Sequence, residues 1–340
     1  MPKSQALEEL MKAAQYSEIG HPPVVVTLVD DDPGAPGEGE VLIDVVASPI
    51  NPSDLLMITG DYASRPELPA SPGNEGLGRV AALGAGVDSL AVGDRVLLPR
   101  GGGTWRHQMR CQARMAMPVP AESDALQMSM LVVNPPTAAL MLREFVALEA
   151  GDWVIQNAAN SAVGRYLIAL AAAQGVRSVN VVRRPGLEAE LGDLGASVVV
   201  VDGPDLSARM AETTNGTAPR LGVDAIGGEA TLRLADCMEE GGVVVNYGLL
   251  SGQACQISPA ATVFRDVSLR GFWLARWFQH ASGDERRALY AELGALVASG
   301  KLKAAVAATY PLEQIDQALK HAMADGRDGK VIITPAGTDI

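Results

Sequence analysis

The sequence is short of cysteine and of long apolar runs. Its three cysteines, Cys111, Cys237 and Cys255, are far apart and form no C-x-x-C pair, which argues against a disulfide framework and against a thiolate zinc site. No apolar run reaches the length of a membrane span, and the first residues are typical neither of a signal sequence nor of an acid-poor transit peptide. We therefore expect a cytoplasmic protein with no membrane span.

The chain also lacks the basic excess of a nucleic-acid-binding protein. Its formal net charge is −13, which predicts that it has no nucleic-acid partner. A site for an anionic cofactor must therefore gather arginine and lysine locally, within a Debye length of about 8–10 Å. Its 340 residues with 48% hydrophobic content are those of an ordinary globular protein with one large or two smaller domains.

The stretch from Trp153 to Arg184 reads as strand, turn, helix and strand, the first unit of a dinucleotide-binding fold. Its turn matches G-x-G-x-x-G as Ala159, Ser161 and Gly164, so only one glycine remains. Small residues let the backbone approach a pyrophosphate, which the helix N-terminus stabilises. We expect the pyrophosphate at Asn160, Ser161, Ala162, Val163 and Gly164.

The second strand of this unit, Ser178–Val182, is not followed by the acidic residue that would accept a hydrogen bond from the ribose of NAD. Arg183 and Arg184 follow it instead. Guanidinium groups pair with a 2′-phosphate that a carboxylate would repel, so the pattern favours NADPH. The alternative is that the two arginines form a solvated turn.

Two patterns divide the chain. Up to residue 125, short β-rich runs separated by glycine and proline predict strands at Val24–Val29, Val41–Val46, Gly78–Leu83, Arg95–Leu98 and Trp105–Cys111. A proline-broken helix over 126–145 follows. Six apolar runs then alternate with helices, which predicts an α/β fold with a doubly wound, parallel six-stranded Rossmann sheet. These runs are Trp153–Gln156, Ser178–Val182, Ser197–Val201, Gly222–Ile226, Val243–Tyr247 and Val267–Gly271.

The last quarter of the chain cannot easily extend a completed six-stranded sheet. It reads as helix, strand, helix and strand, and we expect it to return to the N-terminal domain. The segments are Gly283–Ala298, Val306–Tyr310, Leu312–Ala324 and Lys330–Thr334.

Several short motifs resemble those of the medium-chain dehydrogenase/reductase superfamily: Asn51–Asp54, Gly73–Gly78, Val92–Val96 and Gly329–Val331. The resemblance implies a GroES-like, β-rich catalytic domain formed by residues 1–125 and 272–340. It also implies an inserted NADPH-binding Rossmann domain formed by residues 126–271.

The catalytic zinc ligands of that superfamily are missing. Where its zinc enzymes supply cysteine, histidine and a third ligand, this chain has Asn51, Asn74 and Asn134-Pro135. Neutral carboxamides are poor zinc ligands compared with thiolate and imidazole. The sequence therefore predicts a zinc-independent reductase without a metal site.

A further set of motifs resembles the mitochondrial-type trans-2-enoyl thioester reductases: Gly60–Tyr62, Arg65–Pro69, Gly103–Arg106, Val133–Ala138, Gln156–Gly164 and Leu269–Leu274. The resemblance implies an oxidoreductase of fatty acid metabolism that reduces the 2,3 double bond of an enoyl thioester of CoA or acyl carrier protein. Hydride would go from NADPH to Cβ and a proton to Cα. A homodimer is also implied. One departure is Arg183-Arg184 in place of the family's Arg-x-Arg spacing.

The same resemblance assigns roles to single residues. Tyr62 matches the active-site tyrosine, whose phenol, with an ordinary pKa of about 10, can donate a proton; alternatively its ring packs over the substrate. Asn134 matches an asparagine at the nicotinamide, and it could also be an N-cap. Trp105 and Trp273 are expected to wall the acyl pocket, with core packing equally open for Trp105. Further cofactor contacts are expected at Tyr247, Gly248, Leu249, Leu250, Phe272, Trp273, Leu274 and Lys330, although Lys330 could also be solvated.

Two other functions stay open. A quinone, enone or alkenal reductase of the same superfamily would share the fold and the cofactor. A protein that binds NADPH without turnover would share only the nucleotide site. The pocket motifs favour the enoyl thioester reductase.

Overall fold

The computed structural model describes residues 11–335 and has two compact units. Of these described residues, 11–132 and 305–335 form unit 1, and Val133–Ala304 form unit 2. Within residues 11–335, no helix combines the length and the apolar character that crossing a membrane would require.

The N-terminal part of unit 1 is built around one long strand. This strand, β3, buries Val41, Ile43 and Val45 at alternate positions and pairs antiparallel with both β4 and β6, as expected for the period of two along a strand. The elements are β1 (Lys12–Tyr16), α1 (Pro22–Val25), β2 (Val26–Asp30), β3 (Glu40–Pro49), α2 (Pro52–Thr59), β4 (Leu77–Leu83), β5 (Arg95–Leu97), β6 (Gln108–Gln112), β7 (Met117–Pro118) and α3 (Ala125–Ser129).

Several features of this part differ from the sequence prediction. The strand expected at Trp105–Cys111 spans Gln108–Gln112. The strand expected at Val24–Val29 begins only at Val26, because the prolines before it start a helical turn. Lys12–Tyr16 was not predicted as a strand, since it contains no β-branched residue. It nevertheless pairs antiparallel with β2.

Unit 2 contains the predicted doubly wound sheet. Its six strands lie in the order β10-β9-β8-β11-β12-β13 and all pair in parallel, so the prediction of a Rossmann sheet is confirmed. The elements are α4 (Asn134–Glu144), β8 (Trp153–Gln156), α5 (Ala162–Ala173), β9 (Arg177–Val182), α6 (Glu188–Gly192), β10 (Val198–Val201), α7 (Leu206–Thr213), β11 (Leu221–Asp224), α8 (Glu229–Cys237), β12 (Val243–Asn246), α9 (Pro259–Thr262), β13 (Ser268–Gly271), α10 (Leu274–His280) and α11 (Gly283–Ala298).

Residues 272–304 belong to unit 2, whereas the sequence placed them with the N-terminal domain. Arg143 of α4 donates to Glu292 of α11 at 3.0 Å. This ion pair joins α11 to α4, the first helix of unit 2. The first boundary likewise lies after Val132 rather than after residue 125, since α3 packs against β3 and β4.

The chain then returns to unit 1, as predicted. It adds β14 (Val306–Tyr310), α12 (Ile315–Met323) and β15 (Lys330–Ile333). Ile332 and Ile333 of β15 pair antiparallel with Pro49 and Ser48 of β3, and β14 pairs in parallel with β15. The two ends of the chain thus form one seven-stranded sheet.

Candidate active site

The turn between β8 and α5 has the geometry of an anion-binding turn. Ser161 is the N-cap of α5, and its hydroxyl accepts a hydrogen bond from Gly164 N at 3.1 Å. Ala158 adopts a left-handed conformation with φ of +47°, and its carbonyl accepts from Ser161 N at 2.9 Å. Backbone N–H groups and the helix dipole at such an N-terminus favour a phosphate. Asn160, Ala162 and Val163 belong to the same turn and first helical turn.

The remaining glycine of the turn is required by a close approach. A Cβ on Gly164 would lie 2.5 Å from the carbonyl oxygen of Ala159. Gln156 of β8 also donates to the carbonyl of Gly164 at 2.9 Å. The helix therefore starts in direct contact with the turn and the sheet.

Asp224, which sequence reasoning missed, ties this turn to the neighbouring strands. It ends β11, is fully buried, and accepts from Asn157 Nδ2 at 2.6 Å and Thr231 Oγ1 at 2.6 Å. Asn246 Nδ2 donates to it at 3.0 Å. Burial raises the pKa of this carboxyl, but the hydrogen bonds outweigh burial and hold the pKa below its ordinary value. The signal available in the sequence was an aspartate inside the apolar run Gly222–Ile226, three residues before Gly227.

The segment after β12 also meets the turn. Burial raises the pKa of the Tyr247 phenol well above its ordinary value, and the neighbouring Ser161 side chain acts against this shift. Gly248 passes close to β11, since a Cβ there would lie 2.6 Å from the carbonyl oxygen of Ala225. Leu249 and Leu250 are exposed apolar side chains.

Arg183 and Arg184 are exposed and directly follow β9. A third arginine, not singled out from sequence, lies at the turn itself. Arg165 is buried, pairs with Glu190 of α6, and donates through Nε to the Asn160 carbonyl at 3.2 Å. Arg165 therefore stabilises the turn through the backbone carbonyl of Asn160.

The segment after β13 leads into α10. Phe272 donates its backbone N–H to Asn246 O at 2.9 Å and packs edge-on against Phe145. Trp273 is the N-cap residue of α10 and 37% exposed, and Leu274 is buried. An exposed tryptophan here is compatible with the expected pocket wall.

Asn134 is buried and is the first residue of α4. The N-cap position belongs to Val133, so the interpretation of Asn134 as an N-cap was wrong. The helix starts one residue earlier than that role requires, because Pro135 and Pro136 suit the first turn of a helix.

Tyr62 lies in unit 1, in the segment that leaves α2. Its backbone N–H donates to the carbonyl of Leu56 at 3.1 Å, and Gly60 ends the helix with φ of +81°. Tyr62 is half-buried. Helix α2 thus fixes the position of its backbone.

Trp105 is completely buried in the hydrophobic core of unit 1, among residues such as Tyr16 and Ile50. This position favours core packing over an exposed pocket wall. The pocket role was an expectation from the apolar aromatic side chain, in a sequence with only 4% aromatic residues.

The places of the zinc ligands in unit 1 hold a buried polar cluster. Asn51 donates to Glu75 Oε1 at 2.8 Å, and Asn74 donates to Asp54 Oδ1 at 2.7 Å. The Lys330 ammonium donates to Asn51 Oδ1, so a cation already contacts the oxygen that a metal would need. These residues do not fit a zinc ion.

Lys330 is buried beside the carboxyl groups of that cluster. Burial lowers the pKa of its ammonium, against the opposing attraction of Glu75 and Asp54. Lys330 is therefore not a solvated lysine, and in this structure its Nζ contacts Asn51. Its contact with the cofactor stays a prediction.

Comparison with known proteins agrees with this architecture. Residues 37–121 match the alcohol dehydrogenase GroES-like domain, and residues 194–333 match the zinc-binding dehydrogenase family. The fold and these matches define a medium-chain dehydrogenase/reductase.

The similar proteins indicate which family of this superfamily the chain belongs to. The chain is 38% identical over 318 residues to the mitochondrial enoyl-[acyl-carrier-protein] reductase of Caenorhabditis elegans, and the match covers 91% of this chain and 90% of that protein. It superposes on an Etr1p/NADP/crotonyl-CoA complex with a TM-score of 0.83, at 28% identity, covering 95% and 99% of the two chains. It also superposes on a putative NADPH:quinone reductase from Bacillus thuringiensis with a TM-score of 0.87, at 31% identity, covering 95% and 98%. The chain belongs to the family of the mitochondrial-type enoyl thioester reductases.

Proposed function

We propose that this protein is an NADPH-dependent reductase of trans-2-enoyl thioesters and that it works without zinc. The observation that carries the proposal is the 38% identity, over 91% of the chain, to a protein named for that activity. The substrate is an acyl thioester of CoA or of acyl carrier protein, and the bond reduced is the double bond between C2 and C3.

The residues of unit 2 fit NADPH as the cofactor. A small-residue turn capped by Ser161 offers backbone N–H groups to a pyrophosphate. The exposed pair Arg183 and Arg184 follows β9, where NAD enzymes carry an acidic residue. Guanidinium groups at this place suit a 2′-phosphate.

Bound NADPH supplies the hydride. The chain itself must position the acyl group, stabilise negative charge on the thioester oxygen and provide a proton at Cα. Tyr62 is proposed as the proton donor, acting through its phenol oxygen. Asn134 is proposed to orient the nicotinamide, and Trp273 to border the acyl chain.

The proton-donor role is tested with Tyr62→Phe, and Tyr310→Phe serves as the matched control. Tyr310 lies in the same unit, and its hydroxyl bonds His321 at 3.0 Å. We expect the Tyr62→Phe enzyme to lose at least tenfold in kcat with crotonyl-CoA while its Kd for NADPH stays within twofold. The Tyr310→Phe enzyme should keep both values. An unchanged kcat in the Tyr62→Phe variant excludes the donor role.

The substrate class is tested by measuring kcat/KM for enoyl-CoA thioesters of increasing chain length and for a simple quinone, each with NADPH and with NADH. The second candidate is a quinone or enone reductase, which the fold likeness to a putative quinone reductase supports. A quinone preference of tenfold or more would establish that candidate. NADPH binding without oxidation in the presence of any acceptor would indicate a non-catalytic protein.

A homodimer is also proposed, formed along the free edge of the unit 2 sheet. Strand β13 is the last strand in that sheet and its residues are exposed. Phe264, just before it, is 79% exposed. Sedimentation equilibrium of the wild-type protein and of Phe264→Glu tests the dimer, because a charge at a buried interface should favour the monomer. Cytoplasmic location and a role in fatty acid metabolism stay predictions.

A further inference from the structure

We propose that Asp224 is a positioning residue for the cofactor: through Asn157 it holds the β8–α5 turn in the conformation that binds the pyrophosphate. This inference rests on the proposed use of NADPH but on no assumption about the acyl substrate. Asp224 is fully buried, so it acts through the residues around it rather than by touching a ligand.

The carboxylate joins three neighbouring strands at their carboxyl ends. It terminates β11, which pairs with β8 on one side and β12 on the other. Asn157 follows β8, and Asn246 ends β12, and both donate side-chain N–H groups to it, at 2.6 Å and 3.0 Å. One anion therefore fixes the spacing of the strand ends that carry the turn.

The connection to the turn runs through Asn157. Its Nδ2 donates to Asp224 and its Oδ1 accepts from Ala225 N at 2.8 Å, so both ends of the carboxamide are held. The next residue, Ala158, has φ of +47°. A non-glycine residue in that region carries backbone strain, and the two hydrogen bonds on Asn157 hold the chain in place against it.

The charge balance supports a positioning role. Ile226 N and Gly227 N also donate to Asp224, at 2.9 Å and 3.1 Å, and Thr231 donates at 2.6 Å. No lysine or arginine forms a salt bridge with it in residues 11–335, so neutral donors keep it ionised. A buried negative charge beneath an anion-binding turn opposes phosphate binding electrostatically, which leaves geometry as the contribution that Asp224 can make to affinity.

The same restraint bears on residue 158, which directly precedes the first position of the G-x-G-x-x-G match. A glycine at 158 would adopt the left-handed conformation without strain. This chain has alanine there and supplies an external restraint instead. Removing the Asp224–Asn157 hydrogen bond should therefore weaken cofactor binding, whereas replacing Ala158 by glycine should strengthen it.

The test measures the Kd for NADPH, by nicotinamide fluorescence, in Asp224→Asn, Asn157→Ala and the double variant. An asparagine at 224 turns one oxygen into a donor that faces other donors. We expect each single variant to bind NADPH at least tenfold more weakly and the double variant to be no weaker than the worse single one, since both remove the same connection. Adding Ala158→Gly to Asp224→Asn should recover about threefold or more.

Asp152→Asn is the matched control. Asp152 precedes β8 and bonds Arg220, the residue before β11, at 2.7 Å, so it joins the same two strands at the opposite end of the sheet. Its variant should lose thermal stability but keep the Kd within twofold. Additive losses in the double variant, or an Asp224→Asn protein that melts earlier yet binds NADPH like the wild type, would overturn the proposal. Wild-type protein that binds no NADPH would instead refute the proposed cofactor.

Discussion

Replacing Gly164 by alanine is the sharpest structural test of the nucleotide turn. The new Cβ would lie 2.5 Å from Ala159 O and 2.7 Å from Ala159 C, roughly 1 Å short of the usual separation of about 3.5 Å. Both atoms belong to the backbone, so no side chain can rotate away. The turn or the first turn of α5 must move.

The size of the effect follows from two opposing contributions. Overpacking costs about 1–3 kcal/mol, and the better helix propensity of alanine offsets up to about 1 kcal/mol of this. The net loss is about 1–2 kcal/mol, or about 2–8 °C in Tm for a unit of this size. A displaced turn should weaken NADPH binding about tenfold, which corresponds to about 1.4 kcal/mol.

The assay combines thermal unfolding with NADPH titration, and Gly192→Ala is the control. Gly192 ends α6 in the same unit, and a Cβ there meets no heavy atom within 4 Å. Its variant should keep its affinity and stay as stable as the wild type or gain slightly. A Gly164→Ala protein with unchanged Tm and unchanged Kd would refute the reasoning from the close approach.

Two further outcomes are expected. Arg183→Ser combined with Arg184→Ser should raise KM for NADPH at least tenfold and change KM for NADH less than threefold, because only the 2′-phosphate loses its partners; equal effects on both cofactors would contradict a phosphate site. Burial raises the pKa of Asp54 to about 7, so the folded state binds more protons than the unfolded state between about pH 4 and pH 7. The favourable contribution is present below about pH 4 and is lost as the pH rises to about 7, by at most about 1.4 kcal/mol per pH unit. In denaturant unfolding at several pH values, the free energy of unfolding of the Asp54→Asn variant should therefore change less with pH than that of the wild type.

Unit 2 could be predicted in detail because its pattern is local. Each buried strand is a short apolar run between helices, and Trp153–Gln156 and Gly283–Ala298 have the predicted bounds. The turn was recognisable because small residues stand between a buried apolar strand and an apolar helix. Arg183 and Arg184 were found because their distance from the turn is fixed by the fold.

What escaped prediction depends on contacts between distant parts of the chain. Asp224 and Asn157 are 67 residues apart, and neither residue lies in a local sequence pattern that predicts their hydrogen bond. The environment of Lys330 was missed for the same reason, since β15 pairs with β3 and brings it to Asn51. Residues 272–304 were misplaced because the chain's own pattern does not say against which unit a helix packs.

The cluster around Lys330 can be understood from charge. Asp54 and Glu75 are fully buried, and a buried carboxylate needs a cation or several donors. Where a zinc enzyme of this superfamily would place a dication, the carboxamides of Asn51 and Asn74 bring donors and the Lys330 ammonium brings one positive charge. Burial raises the pKa of Asp54 by more than the Lys330 charge and the hydrogen bonds from Asn51 and Asn74 lower it. The cluster therefore has a protonation equilibrium near neutral pH at Asp54, whereas a zinc site would keep its ligands ionised.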